Sequence, residues 1–150
     1  MSTLTSNIVR AAPLTNIPWQ ERPAGNQNVL WRHSKNPIMG RNPVPNANSV
    51  YNSAVVPFEG AFAGVFRCDS KNILPFLHTG RSKDGLQWRI EEAPIEFIQP
   101  DGSRKPLSYG YDPRVTPIDG EYVVSWCNDY HGPTIGLAKT RDFKEYHQLE

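Results

Sequence analysis

The sequence predicts an all-β fold built from a repeated four-stranded antiparallel unit, the blade of a β-propeller. Composition is the first observation behind this: the 150 residues include 14 Pro, 11 Gly and 11% aromatics, a balance that favours turns and short strands over long helices. An internal repeat is the second. Tyr51 to Phe62 aligns without a gap on Tyr111 to Tyr122, 60 residues further on. Tyr, Val, Pro and Gly recur identically, and Asp119 and Tyr122 stand in for Glu59 and Phe62. Ser82-Lys83-Asp84 ahead of Trp88 likewise matches Thr140-Arg141-Asp142 ahead of Tyr146, at an offset of 58. The slip falls in the loop between hairpins, where a change of length costs little.

Taken in order, residues 1–50 are rich in Asn and Pro, have neither a helical nor a strand period, and read as an extended arm and loop. Residues 51–108 form the first blade. Within it, 51–69 reads as a hairpin turning at Glu59-Gly60, and 76–90 as a second hairpin turning at Lys83-Asp84-Gly85. Residues 109–150 form the second blade. Such a unit cannot bury both of its faces alone, and radial stacking closes a ring only after about 4 to 8 blades. Two copies therefore read as part of a single propeller domain. A piece of this size would expose large apolar faces, and the isolated chain is expected to be unstable and inactive. The competing architecture is a β-sandwich of two unrelated meanders that share only generic turn chemistry.

Charge and motifs exclude several classes of function. With 16 basic and 15 acidic residues the net charge is +1, so no broad field would draw nucleic acid or an anionic membrane. Cys68 and Cys127 lack zinc-site spacing and are expected to be free, buried thiols; no metal is expected. The opening residues contain no signal-peptide core, and no apolar run reaches the length of a membrane span, which predicts a cytoplasmic protein. Neither a GxSxG elbow nor a Gly-rich phosphate loop occurs.

The repeat also picks out a candidate site. In a propeller the first strand of each blade lies nearest the axis, so Asn52 and Asp112 hold equivalent places at the mouth of the central cavity. Pro113 bars Asp112 from the right-handed helical region and is expected to leave it extended. Ser53, Tyr109, Tyr111, Arg67 and Asp69 converge on the same entrance. Aromatic rings beside amides, hydroxyls, an Arg and a carboxylate suit a sugar, whose ring face stacks and whose hydroxyls need paired donors and acceptors. Structural roles compete: Arg67 could simply pair with Asp69 or Asp112, Tyr111 could simply pack, and Asn52 could form an Asx turn. His131 reads as a loop residue rather than a proton shuttle.

Several longer motifs carry a resemblance: NPI at 36–38, SVYNSAVVPF at 49–58, GVFRCD at 64–69, SKDGLQW at 82–88, YGYDPRV at 109–115 and WCNDYHGPTIGLA at 126–138. Together they resemble the mannoside phosphorylases of glycoside hydrolase family 130, in the branches acting on β-1,4-mannooligosaccharides and mannosylglucose. The resemblance implies a five-bladed propeller, of which this chain supplies the arm and about two blades. It implies an inverting phosphorolysis of β-1,4-mannosidic bonds that gives α-mannose 1-phosphate, with inorganic phosphate as co-substrate and no cofactor. Asp112 would be the general acid, its proton passing through the mannosyl 3-hydroxyl. Asn52, Ser53 and Arg67 would contact the mannosyl unit, and Tyr111 the acceptor side. Cations that hold phosphate are expected mainly from later blades; Arg67 and Arg114 are the nearby ones here. Pro75 departs from the family, which usually has a more polar strand there. A β-mannoside hydrolase of the same family and a non-catalytic mannoside-binding propeller are the alternatives. The expected partners are an oligosaccharide and phosphate, with the arm a candidate contact for a homo-oligomer.

Overall fold

The computed structural model describes residues 17–129 and 132–149. Among these every regular element is a strand, in two antiparallel-based sheets. In the first sheet, β1 (Ala47–Phe58), β2 (Ala61–Ser70), β3 (Pro75–Ser82) and β4 (Arg89–Ile90) follow one another as a meander. The second contains β7 (Tyr111–Ile118), β8 (Glu121–Asn128), β9 (Thr134–Thr140) and β10 (Tyr146–Gln148) in the same meander order. Residues 17–46 carry no strand, in keeping with an arm. The hairpin of β5 (Glu96–Ile98) and β6 (Arg104–Pro106) joins the second sheet, with β5 running parallel to β10. Residues that the sequence groups with the first unit thus extend the outer edge of the second.

Two local features recur in both sheets. The β1–β2 and β7–β8 turns both place two residues at positive φ, Glu59 and Gly60 at 49° and 73°, Asp119 and Gly120 at 50° and 79°. This is the type I′ geometry whose twist matches that of the flanking strands. Both first strands also carry one extra residue, between Tyr51 and Ser53 in β1 and between Tyr111 and Arg114 in β7. The prolines respect the ladder: Pro57, Pro113 and Pro117 lie on the edge strands β1 and β7, and Pro75 opens β3. Pro75 is buried, and its carbonyl accepts from Gly110 N at 3.4 Å.

Period-two alternation sorts the side chains. Ala63, Val65 and Leu77 of the first sheet face Val124, Trp126 and Ala138 of the second across the main apolar core. The interleaved Phe66, Cys68 and Ile90 point the opposite way, where Val44 of the arm and Ala47 at the start of β1 cover them. Polar ties cross between the sheets: Thr79 Oγ1 and Tyr146 Oη share a buried hydrogen bond of 2.7 Å, Tyr122 Oη donates to Pro57 O at 3.1 Å, and Arg81 donates to Asp142 O. Burial pushes the Cys68 thiol up to about 12. Both cysteines are free, and Cys127, contrary to expectation, is only half-buried. His131 lies outside the described residues.

Candidate sugar-binding site at two equivalent bulges

The two bulges meet. Asn52 Nδ2 donates to Asp112 Oδ1 at 2.5 Å, joining residues 60 positions apart in the sequence. A bulge re-aims the side chain of its extra residue, and here it turns an amide from one sheet and a carboxylate from the other toward a common point. Asp112 is not extended, as the proline after it had suggested, but left-handed, with φ 51°. The clash with Pro113 closes the right-handed region, whereas Asp is among the few side chains that tolerate the left-handed one. The bulge takes that option. A backbone held there costs about 1–3 kcal/mol, a strain typical of functional positions.

Arg67 organises the rest. Its guanidinium lies over the Tyr51 ring at 5.0 Å and the Tyr111 ring at 5.5 Å, so it fills a slot between equivalent tyrosines of the two sheets. Nε and Nη2 grip Asp69 in a two-pronged contact at 2.8 and 3.1 Å, and Nη1 approaches Asp112 Oδ1 at 3.5 Å. Arg67 and Asp69 share a face of β2 because they are two residues apart. The hydrogen bond to Asp69 is the chief reason that the Arg67 guanidinium is held above its ordinary value; desolvation opposes it, and the charges of Asp69, Asp112 and Tyr109 add to it. Tyr109 packs edge-on against Tyr111 at 5.5 Å. Partial desolvation, then the neighbouring Cys127, Tyr109 and Asp112, raise the Tyr111 hydroxyl, while Arg67 opposes them.

Of the residues marked from the sequence, Asn52, Arg67, Asp69, Tyr109, Tyr111 and Asp112 come together. Ser53 sits beside Asn52, but its hydroxyl donates to Tyr51 O at 3.1 Å and its side chain lines the cleft under the arm. Arg114 is exposed and donates to Pro113 O at 2.9 Å. Tyr51 was missed as a site residue, although the repeat aligns it with Tyr111 and the hairpin register sets it opposite Arg67. Chemically, the cluster presents aromatic faces, an amide, a cation and a carboxylate whose Oδ1 takes both contacts. Among the described residues Oδ2 accepts no hydrogen bond.

Residues 12–150 match the family model described as β-1,4-mannooligosaccharide phosphorylase of glycoside hydrolase family 130. A β-1,4-mannooligosaccharide phosphorylase from Ruminococcus albus is 47% identical over 98% of this chain, which spans 46% of that relative. Among solved structures, a β-1,2-mannobiose phosphorylase from Listeria innocua in complex with β-1,2-mannobiose is similar with a TM-score of 0.60. It is 18% identical, with 79% of this chain and 50% of that one covered. A β-fructofuranosidase of family GH32 from Bombyx mori is similar at a TM-score of 0.53 and 14% identity, covering 71% of this chain and 24% of that one. The chain thus spans about half the length or less of these relatives.

Proposed function

The chain belongs to glycoside hydrolase family 130, and from that membership we propose that it is part of a phosphorylase that cleaves β-1,4-mannosidic bonds with inorganic phosphate. The complete protein would be a five-bladed propeller, with the two sheets described here as consecutive blades and residues 17–46 in the leading arm. The observation that carries the reading is the Asn52–Asp112 contact, which holds a carboxyl group at the meeting point of two blades.

Asp112 would act as the general acid. Because the Asn52 amide donates to Oδ1, the proton of the acid form would sit on Oδ2. That proton passes, through the mannosyl 3-hydroxyl, to the glycosidic oxygen as its bond to C1 breaks. A phosphate oxygen forms the new bond to C1 from the opposite face, so the β-mannoside becomes α-mannose 1-phosphate and the shortened sugar leaves with the proton. A hydrolase needs a second carboxylate to activate water; phosphate arrives already anionic and needs cations. Arg67 is a poor candidate for holding it, since its guanidinium is committed to Asp69 and two tyrosines. Asn52 and Arg67 would instead meet the mannosyl unit, with Ser53 beside them, and Tyr111 the acceptor.

The test is the complete protein on mannobiose, with and without phosphate. Release of mannose 1-phosphate only when phosphate is present is expected. Equal release of free mannose without phosphate would replace the phosphorylase with a hydrolase, and binding without turnover would leave a mannoside-binding propeller.

A further inference from the structure

We infer that Asp69 is a positioning residue: its grip on Arg67 sets the guanidinium in the tyrosine slot and, through it, the Asp112 carboxylate. Asp69 is 6% exposed, and both of its oxygens are engaged by Arg67. A buried ion pair contributes little net stability, because desolvation offsets the attraction; what it supplies is geometry. A planar guanidinium held by two parallel contacts has a fixed orientation. That orientation keeps the guanidinium carbon 5.0 and 5.5 Å from the Tyr51 and Tyr111 ring centres and leaves Nη1 toward Asp112. Arg67 without Asp69 would be a long, partly exposed side chain, free to swing wholly onto Asp112 or out to solvent.

The charge balance follows. Facing Asp112 are Asn52 from β1, Arg67 from β2 with Asp69 behind it, Tyr111 from β7 with Cys127 of β8 and Tyr109 around it. In that set Asp69 neutralises the single cation. Its removal lets the Arg67 charge fall on Asp112 uncompensated, which favours the carboxylate over the acid form that the proposed reaction needs.

This inference rests on the proposed phosphorylase reading, and two measurements on the complete protein keep them apart. In Asp69→Ala, kcat is expected to fall at least tenfold, and the limb of the pH profile where rate falls with rising pH is expected to move to lower pH. Asp69→Asn, which keeps the volume, should show the same shift with a smaller loss and serves if the Ala variant does not fold. A normal pH profile with only a lower melting temperature would make Asp69 structural and overturn the inference. Crystal structures of the variants read the positioning without reference to activity. A guanidinium displaced from the slot supports it. One still within about 6 Å of both rings overturns it, even if the unmutated protein proves not to be a phosphorylase.

Discussion

The same face of the repeated unit is covered in two different ways. In the second sheet Val124, Trp126 and Ala138 pack against the first sheet in a continuous core. In the first, the equivalent face with Phe66 packs with Val44 and Met39 of the arm, Ile90 and Trp88, beside a cleft of about 470 Å³ lined by Ile17, Ile38, Met39 and Val55. The side chains follow the cover. Trp126 is paired across the ladder with Gly136, whereas the smaller Phe66 is paired with His78. A similar asymmetry runs through the site. Tyr51 faces Arg67 across its hairpin and Tyr111 faces Cys127, so a single arginine serves both tyrosines. At the bulges one unit offers an amide and the other an acid. A repeat thus supplies two similar positions, and divergence between them sets an amide against a carboxyl group.

The largest expected effect comes from erasing that divergence. Asp112→Asn makes the second bulge match the first while keeping its size and its tolerance of positive φ. The fold should survive, and the proposed phosphorolysis by the complete protein should fall by about a thousandfold, roughly 4 kcal/mol of transition-state stabilisation. Mannobiose binding, followed by calorimetry, should persist. A loss below tenfold would remove Asp112 from the role of acid.

Much of this was legible in the chain because the repeat is in register over both hairpins. Once Tyr51 is set over Tyr111, the turns at Glu59-Gly60 and Asp119-Gly120, the strand prolines and the Asn52/Asp112 equivalence follow from period-two alternation and turn chemistry. Two features were not legible. The left-handed backbone of Asp112 depends on a bulge, and a one-residue excess shows only against the partner strand. The β5–β6 hairpin pairs with β10, about 50 residues away in sequence, through short ladders with little pattern of their own.

The two covers make a stability prediction of intermediate size. A Cβ at Gly136 would lie 2.3 Å from Trp126 Cε2, and that ring is itself 4.5 Å from Phe97 in a closed core. Gly136→Ala should therefore destabilise by about 3 kcal/mol, at the upper end of overpacking costs. A Cβ at Gly80 would meet Phe66 at 2.4 Å and Ile90 Cδ1 at 2.6 Å, but Ile90 Cδ1 is the end of a flexible side chain and Phe66 borders the cleft rather than a closed core. Gly80→Ala should cost about 1 kcal/mol. Thermal unfolding of the complete protein measures both. Equal costs would mean that another part of the protein fills the cleft and closes that face as tightly as the first sheet closes the second.

The smallest effect lies in the turns, where the backbones agree and the side chains do not. Both first positions are left-handed, Glu59 at φ 49° and Asp119 at φ 50°. A long Glu gains nothing local from that conformation, whereas Asn and Asp can hydrogen-bond to their own backbone and adopt it more cheaply. Asn-Gly and Asp-Gly are both favoured in type I′ turns. Glu59→Asn should stabilise the protein by about 0.5 kcal/mol, and Asp119→Asn should change stability by about 0.2 kcal/mol or less, within the roughly 1 kcal/mol span of such turn effects. The difference between the two substitutions is the informative quantity, because both act on the same backbone geometry with the same new side chain. If Glu59→Asn instead destabilises, Glu59 makes a contact in the complete protein that its exposed position in the β1–β2 turn does not display.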